Sequence, residues 1–150
     1  MPIDPIELLM KDHEAVRSLL SQLSKADGDG RAREELLTRI EKELQIHTAI
    51  EEEIFYPALK VAGGKEESKM FYEAVEEHRA VEELVLPDLK NTDAAGERFS
   101  GRAKVLKGLI EHHAEEEERQ MLPKARTLFS AEQLAELGER MEKRRKELGA

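Results

Sequence analysis

Residues 47–57 read HTAIEEEIFYP, and residues 113–123 read HAEEEERQMLP. In both segments a glutamate stands four residues after the histidine, and a proline stands six residues after that glutamate. Residues four apart are neighbours on one face of an α-helix. The spacing therefore predicts two helices that each present an imidazole and a carboxylate, two common metal ligands, side by side.

The repeat extends toward the N-terminus, because the sequence HEAV beginning at His13 is matched by HRAV beginning at His78. Each of these histidines precedes one of the His-x-x-x-Glu segments, and the two copies are offset by about 66 residues. Self-similarity at this period indicates two copies of one helical hairpin. The candidate metal ligands are six side chains: His13, His47, Glu51, His78, His113 and Glu117.

The composition is typical of a helical protein. The chain is rich in Glu, Lys, Arg, Leu and Ala, and aromatic residues make up only 4% of it, which favours amphipathic helices over sheets. A length of 150 residues fits a single domain over residues 1–150. The absence of cysteine excludes thiolate zinc sites, iron–sulfur clusters and thiol catalysis, so histidine and carboxylate are the available ligands.

Charge and hydropathy argue against two classes of partner. The net charge is −9 and the basic residues are dispersed, whereas binding to a nucleic-acid backbone requires clustered Lys and Arg. No apolar run approaches the roughly 20 residues of a membrane span, and the N-terminal sequence MPIDP does not resemble a signal peptide. We therefore expect a soluble cytoplasmic protein with no nucleic-acid or membrane partner.

Apolar periodicity predicts four long helices and a short fifth one. Their expected ranges are 5–26, 31–61, 67–89, 95–128 and 131–148. Capping motifs at residues 4–7 and 130–133 mark the first and last starts. Short connections favour antiparallel neighbours, hence an all-α, up-down-up-down four-helix bundle of residues 5–128. The additional C-terminal helix carries no candidate ligand, and we expect its basic segment 143–146 to be solvated.

Prolines fall inside the helical patterns. Pro57 should kink the second helix, because it removes one backbone hydrogen bond and crowds the carbonyl four residues earlier. Pro87 is expected either to mark the end of the third helix or to bend it. On the second helix the inward face is predicted to continue from Glu51 through Ile54 and Ala58.

The predicted core stripes contain all four candidate histidines, and Glu51 and Glu117 interrupt two of these stripes. Helix lengths place the four imidazoles in one layer of the bundle. Glu52 and Glu53 are expected to point elsewhere. The run 115–118 is expected on a solvated face, apart from Glu117.

Three other side chains need an assignment. His112 also has a glutamate four residues later, but the repeat and the apolar stripe both favour His113. His112 is then a residue that flanks the ligands. For Tyr56 and Tyr72, packing in the core is a more common role than contact with a metal site.

Two interpretations account for this polar layer. A lone histidine on an apolar stripe is more often a hydrogen-bonded core residue than a ligand, so a bundle without metal is the plain alternative. A bundle without metal does not explain why Glu51 and Glu117 lie on inward stripes. An uncompensated buried carboxylate costs several kcal/mol, and no Lys or Arg shares their stripes. A dinuclear metal centre would compensate both, and its imidazole and carboxylate ligands suit iron, manganese or zinc.

This arrangement of His13, His78 and the two His-x-x-x-Glu segments resembles the hemerythrin-like HHE cation-binding family over residues 5–128. The resemblance implies a four-helix bundle with a non-haem di-iron centre. It also implies that Glu51 and Glu117 bridge two iron ions that the histidines cap.

The sequence departs from the oxygen-carrying hemerythrins at two positions. Those carriers have a further histidine where this chain has Ala74, which leaves a position for water, an exogenous molecule or a carboxylate such as Glu82. Their second bridging carboxylate is an aspartate five residues after its histidine, whereas here Glu117 follows at four. Both differences argue against reversible oxygen transport.

Two functional hypotheses follow. In the first, the di-iron centre binds or reacts with a small oxidant such as oxygen, peroxide or nitric oxide, since an open position on a redox metal is what that chemistry requires. In the second, the protein is a non-enzymatic iron-binding protein for storage, sensing or repair of iron centres. The sequence does not separate the two, and it leaves any enzymatic activity undecided.

Overall fold

The computed structural model describes residues 2–150, and all of their regular secondary structure is helical. Two helices are uninterrupted, α1 at Pro5–Lys25 and α5 at Ala131–Glu147. The other three each contain a π-helical turn between two α-helical parts. These are α2 (Gly30–Ile50, Glu51–Phe55, Tyr56–Ala62), α3 (Lys65–Arg79, Ala80–Val85, Leu86–Lys90) and α4 (Glu97–Glu116, Glu117–Met121, Leu122–Leu128).

The all-α class predicted from the sequence is confirmed, and each helix ends within two residues of its expected bounds. Asp4 caps α1 by accepting a hydrogen bond from the Ile6 amide at 2.9 Å. A capping box between Ser130 and Gln133 starts α5. Among the described residues, no helix is long and apolar enough to cross a membrane.

Each π turn ends immediately before a Leu-Pro or Tyr-Pro pair. A proline has no amide N–H and crowds the carbonyl four residues earlier, and one wide turn relieves that conflict without ending the helix. At Pro57 the preceding Tyr56 amide donates to the Glu51 carbonyl, five residues back. Pro87 therefore lies inside α3 and does not terminate it.

The π turn shifts the buried face of α2 by one residue. The α-helical pattern predicts Ala58 as the inward residue after Ile54, but Leu59 is buried there and Ala58 is half-buried. Phe55 and Tyr56 are fully buried as well. The extra residue of the wide turn thus brings the Tyr56 ring into the core, next to the layer that contains Glu51.

Two apolar clusters fill the core, with the polar layer between them. On α1, Leu9 belongs to the first cluster and Val16 to the second, and His13 lies between them in the sequence. The candidate histidines of α2, α3 and α4 are placed between members of the two clusters in the same way. The site is therefore a cross-section of the bundle with apolar packing on both sides.

The fifth helix packs against α1 and α2 through Leu137 and Met141, which are buried in the first cluster. Its close approach depends on Gly138, because a Cβ at that position would lie 1.8 Å from the carbonyl oxygen of Ile3. This contact holds α5 along the bundle and brings its basic C-terminal turn toward α1.

We expect Gly138→Ala to destabilise the fold by about 1–3 kcal/mol, because the added methyl group forces α5 off the N-terminal backbone. Gly108→Ala on α4 is the matched control. A Cβ there meets nothing within 4 Å, and alanine is the better helix former by about 0.5–1 kcal/mol. Urea unfolding measures both changes, and a stabilised Gly138→Ala variant would contradict this account of α5.

Candidate metal centre

The six candidate ligands meet in the polar layer, and Glu51 lies between two histidines. Its Oε1 atom is 3.1 Å from Nε2 of His47 on the same helix and 3.2 Å from Nε2 of His78 on α3. The Glu51 side chain is fully buried. One carboxylate oxygen of the first repeat is thus shared between imidazoles of both repeats.

Glu117 occupies the corresponding place in the second repeat. Its Oε2 atom is 3.2 Å from Nε2 of His113 on the same helix, and its Oε1 atom is 3.3 Å from Nε2 of His13 on α1. Each glutamate therefore connects a histidine of its own helix with one from the other repeat. Two groups of clustered donor atoms result, His13–His47–Glu51–Glu117 and Glu51–His78–His113.

The layer contains buried nitrogen and oxygen atoms that have no hydrogen-bond partner among residues 2–150. In the described part of the chain six buried side-chain nitrogen and oxygen atoms have no hydrogen-bond partner, and five of them belong to this layer. They are His13 Nε2, His47 Nε2, both oxygens of Glu51 and Glu117 Oε1. Leaving buried polar atoms unpaired is costly. Imidazole nitrogens and carboxylate oxygens facing one another in this way fit divalent metal ions.

The outward nitrogen of each histidine is held by a further carboxylate. Glu118 accepts a hydrogen bond from Nδ1 of His13 at 2.7 Å, and Glu52 does the same for His78 at 2.7 Å. Such partners fix the ring orientation of a ligand histidine and raise its basicity. The expectation that Glu118 lies on a solvated face was wrong, because it reaches across to α1. Glu52 was expected to point elsewhere than Glu51, and it reaches across to α3.

Asp12 and Glu77 hold the remaining two histidines. Asp12 Oδ2 lies 2.8 Å from Nδ1 of His47, and Glu77 Oε1 lies 2.7 Å from Nδ1 of His113. These residues immediately precede His13 and His78, just as Glu52 and Glu118 immediately follow the two core glutamates. All four outer carboxylates therefore follow the sequence repeat, but only the six candidate ligands were recognised from the sequence.

Two arginines extend this network. Arg145 of α5 pairs with Asp12, and Arg17 donates to Glu118 at 2.9 Å. Burial alone would raise the pKa of Asp12, but His47 and Arg145 lower it. The segment 143–146 was expected to be solvated, and this expectation was wrong for Arg145, which holds the aspartate that orients His47.

The carboxylates favour positive charge at the imidazoles. Burial alone would lower the pKa of His113, but Glu117 and Glu77 raise it to about 10. The pKa of His47, which burial also opposes, is raised well above its ordinary value by its carboxylate neighbours. The layer is thus arranged to hold cations, and metal ions and protons compete for the same nitrogens.

Tyr56 contacts the centre directly. Its hydroxyl donates a hydrogen bond of 2.6 Å to Oε2 of Glu117, and burial together with that carboxylate raises the tyrosine pKa well above its ordinary value. The expectation of core packing alone was therefore incomplete for Tyr56. It was wrong for Tyr72, which is 57% exposed and accepts a hydrogen bond from Lys60.

The other uncertain positions lie outside the two donor groups. His112 is exposed, and its Nε2 atom is 3.5 Å from Oε2 of Glu116. Ala74 is buried beneath a cleft beside His113. Glu82 does not join the clustered donors but lines a separate cavity next to the histidines.

That cavity is small and mainly apolar. Its volume is about 40 Å³, enough for a few atoms or a water molecule. Val81, Ile110 and Ala114 line it, together with all four candidate histidines. A small uncharged molecule could therefore reach the imidazole layer without displacing a hydrogen-bonded side chain.

Comparison with known protein families identifies the same family that these features indicate. A family model described as the hemerythrin HHE cation-binding domain matches residues 4–125. The chain belongs to this family. The resemblance predicted from the sequence is thereby confirmed, and cation binding is the property that the family description names.

Three proteins that are similar to this chain come from two groups of bacteria. The uncharacterized protein Rv2633c of Mycobacterium tuberculosis is 29% identical over 143 residues, covering 95% of this chain and 85% of that protein. The crystal structure of a hemerythrin HHE cation-binding domain-containing protein from Mycobacterium kansasii, a homologue of Rv2633c, has a TM-score of 0.85 and 31% identity, covering 97% of this chain and 87% of that one. A DNA nickase of Nostoc is 24% identical over 127 residues, which cover 85% of this chain but 35% of the nickase.

We expect Glu52→Ala to weaken metal binding by about 10- to 100-fold, because His78 loses the carboxylate that orients its ring. Glu53→Ala is the control, since Glu53 is exposed and pairs with Arg144 instead. Competition against a chelator of known affinity measures both variants. If the two substitutions reduce affinity equally, the loss is one of overall charge and not of orientation.

Proposed function

We propose that this hemerythrin-like domain holds two iron ions in one buried centre, which binds or reacts with a small oxidant such as oxygen, peroxide or nitric oxide. In this proposal residues 1–150 form one domain, an up-down-up-down bundle of α1 to α4 with α5 packed against it. The short connections and the packing of α1 against α2 and α4 support that topology.

The observation that carries the proposal is that each glutamate lies between a histidine of one donor group and a histidine of the other. Glu51 lies between His47 and His78, and Glu117 lies between His13 and His113. A single metal ion does not require six protein ligands split between two clusters. Two ions would use His13 and His47 on one side, His78 and His113 on the other, with Glu51 and Glu117 between them. The unpaired oxygens of both glutamates support this assignment.

Iron is chosen from the metals that this ligand set allows. Imidazole and carboxylate also suit manganese and zinc, and the likeness to hemerythrins favours iron. When bound, iron supplies redox chemistry at a coordination position that the protein leaves open. Alanine at position 74 supports such an opening, because no side-chain donor is present there.

The chain's own residues provide a route and a proton at this centre. The apolar cavity lined by Val81, Ile110 and Ala114 favours a small uncharged molecule over an ion. Tyr56 holds its proton on a hydroxyl directed at Oε2 of Glu117. This single O–H donor can turn from Glu117 to a negatively charged species in the layer, while the buried bundle excludes bulk water.

We expect protein produced with iron available to contain about two iron atoms per chain. Glu51→Ala and Glu117→Ala should each lose the metal pair, because each removes a ligand that both ions use. Glu115→Ala is the control, since Glu115 is exposed and pairs with Arg119. Metal analysis of the purified proteins decides this, and one stoichiometric zinc, or no metal, would refute the di-iron assignment.

We expect Ala114→Val to slow the reaction of the iron-loaded protein with hydrogen peroxide while leaving its iron content unchanged. Ala114 is 2% exposed and lines the cavity, so two added methyl groups fill most of the space that leads to the histidines. Ala103→Val, elsewhere on α4, is the control. Rapid-mixing absorption spectra measure the rates.

The same spectra separate the two functional hypotheses. An iron-loaded protein whose spectrum responds to none of oxygen, peroxide and nitric oxide would contradict the proposed reactivity. It would favour the alternative of iron storage, sensing or repair.

A further inference from the structure

A third group of possible metal donors lies at the protein surface, outside the buried layer. It consists of Glu77, His112 and Glu116, whose donor atoms all lie within 4.8 Å of one another. Nε2 of His112 is 3.5 Å from Oε2 of Glu116 and 3.9 Å from Oε2 of Glu77. Ligands about 2.1 Å from a tetrahedral metal are themselves about 3.4 Å apart. The observed spacing needs little adjustment to hold a divalent cation.

Glu77 connects this surface group with the buried centre. Its Oε1 atom is hydrogen-bonded to Nδ1 of His113, and its Oε2 atom faces His112. The same carboxylate therefore contacts a candidate ligand of the polar layer on one side and the exposed group on the other. Because His112 and Glu116 are on the outer side of α4, the group is open to solvent.

A cleft joins the two places. Glu77 and Glu116 line its outer part, while His113 and Glu117 line it from within the buried layer. Glu117 is 3% exposed, and its Oε1 atom has no hydrogen-bond partner. Glu73 adds a further carboxylate, and no lysine or arginine is among the described residues that line this cleft. Such a lining attracts cations and concentrates them.

The negative charge of the outer carboxylates is neutralised more completely on one side of the polar layer than on the other. Around His13 and His47, Arg145 neutralises Asp12 and Arg17 neutralises Glu118. In the described part of the chain, Glu77 forms no ion pair with a lysine or arginine. The acidic cleft thus reaches the centre on its less neutralised side.

We propose that Glu77, His112 and Glu116 form an outer site that captures an incoming divalent cation and passes it through the acidic cleft to His113 and Glu117. The inference rests on the proposed function, because it supplies the buried centre with its metal. No redox step is involved, and the cation is the cargo of this route. The outer site binds more weakly than the buried one, since its ligands are solvated and fewer.

The rate of metal uptake tests the transfer. Cobalt(II), whose visible absorption reports on its ligands, is mixed with metal-free protein at low ionic strength. We expect His112→Gln and Glu116→Gln to slow uptake by about tenfold while the final amount of cobalt in the buried centre stays the same. Glu111→Gln is the control, because it removes an equal charge from an exposed position on α4 outside the cleft.

A second measurement reports on the outer site directly. Manganese(II) is titrated into protein whose buried centre is already filled, and the imidazole proton signals of His112 are followed by NMR. We expect them to broaden at low manganese concentrations and to require much higher concentrations in Glu116→Gln.

The outcomes separate this inference from the proposed function. Equal uptake rates in all variants, with the buried centre filled, overturn the transfer route and leave the dinuclear centre standing. Broadening of the His112 signals that is unchanged in Glu116→Gln overturns the outer site. Failure of the unaltered chain to bind cobalt at its buried ligands overturns the dinuclear centre and the transfer step together.

Discussion

Two carboxylates buried in the middle of a helical bundle set the main constraint on this structure. Glu51 and Glu117 are almost completely removed from water, and three of their four oxygens have no hydrogen-bond partner. An ionised carboxylate in such a place costs several kcal/mol unless opposite charge accompanies it. The four imidazoles supply that charge only when they bind protons or a metal. The apolar clusters on both sides hold the helices together. The buried carboxylates of the polar layer are therefore stabilised by cations more than by further protein contacts.

The six inner side chains could be grouped in one layer from the sequence because the relevant information was periodic. The spacing of four in each His-x-x-x-Glu segment and the repeat of about 66 residues together specify which faces meet in a bundle. The outer partners obeyed the same repeat, since an acidic residue precedes both His13 and His78 and another follows each core glutamate. Glu118 was assigned to a solvated face because glutamate runs on helices are usually solvated, Glu52 was expected to point elsewhere, and Asp12 and Glu77 were given no role. The contacts of all four carboxylates with histidines depend on the distance between helices, which periodicity along one helix does not contain.

The role of Tyr56 could not be predicted for a different reason. An α-helical count places Ala58 on the inward face of α2, but the π turn before Pro57 adds one residue and turns Tyr56 and Leu59 inward. Pro57 was expected to kink the helix. A kink and a π turn differ in which residues face inward after the proline. Because the wide turn begins at Glu51 itself, the same local distortion that relieves the proline also brings a hydroxyl group into the centre.

The sequence repeat makes the inner ligands symmetric, but their surroundings are not. The equivalent outer carboxylates are Asp12 in the first repeat and Glu77 in the second, and each holds the histidine of the following helix. Arg145 of α5 neutralises Asp12, whereas Glu77 faces the exposed imidazole of His112. A carboxylate that is shared with an arginine gives less negative charge to its histidine than one that is not. Two metal positions built from identical ligand types would therefore differ in electrostatic potential, because α5 covers only one of them.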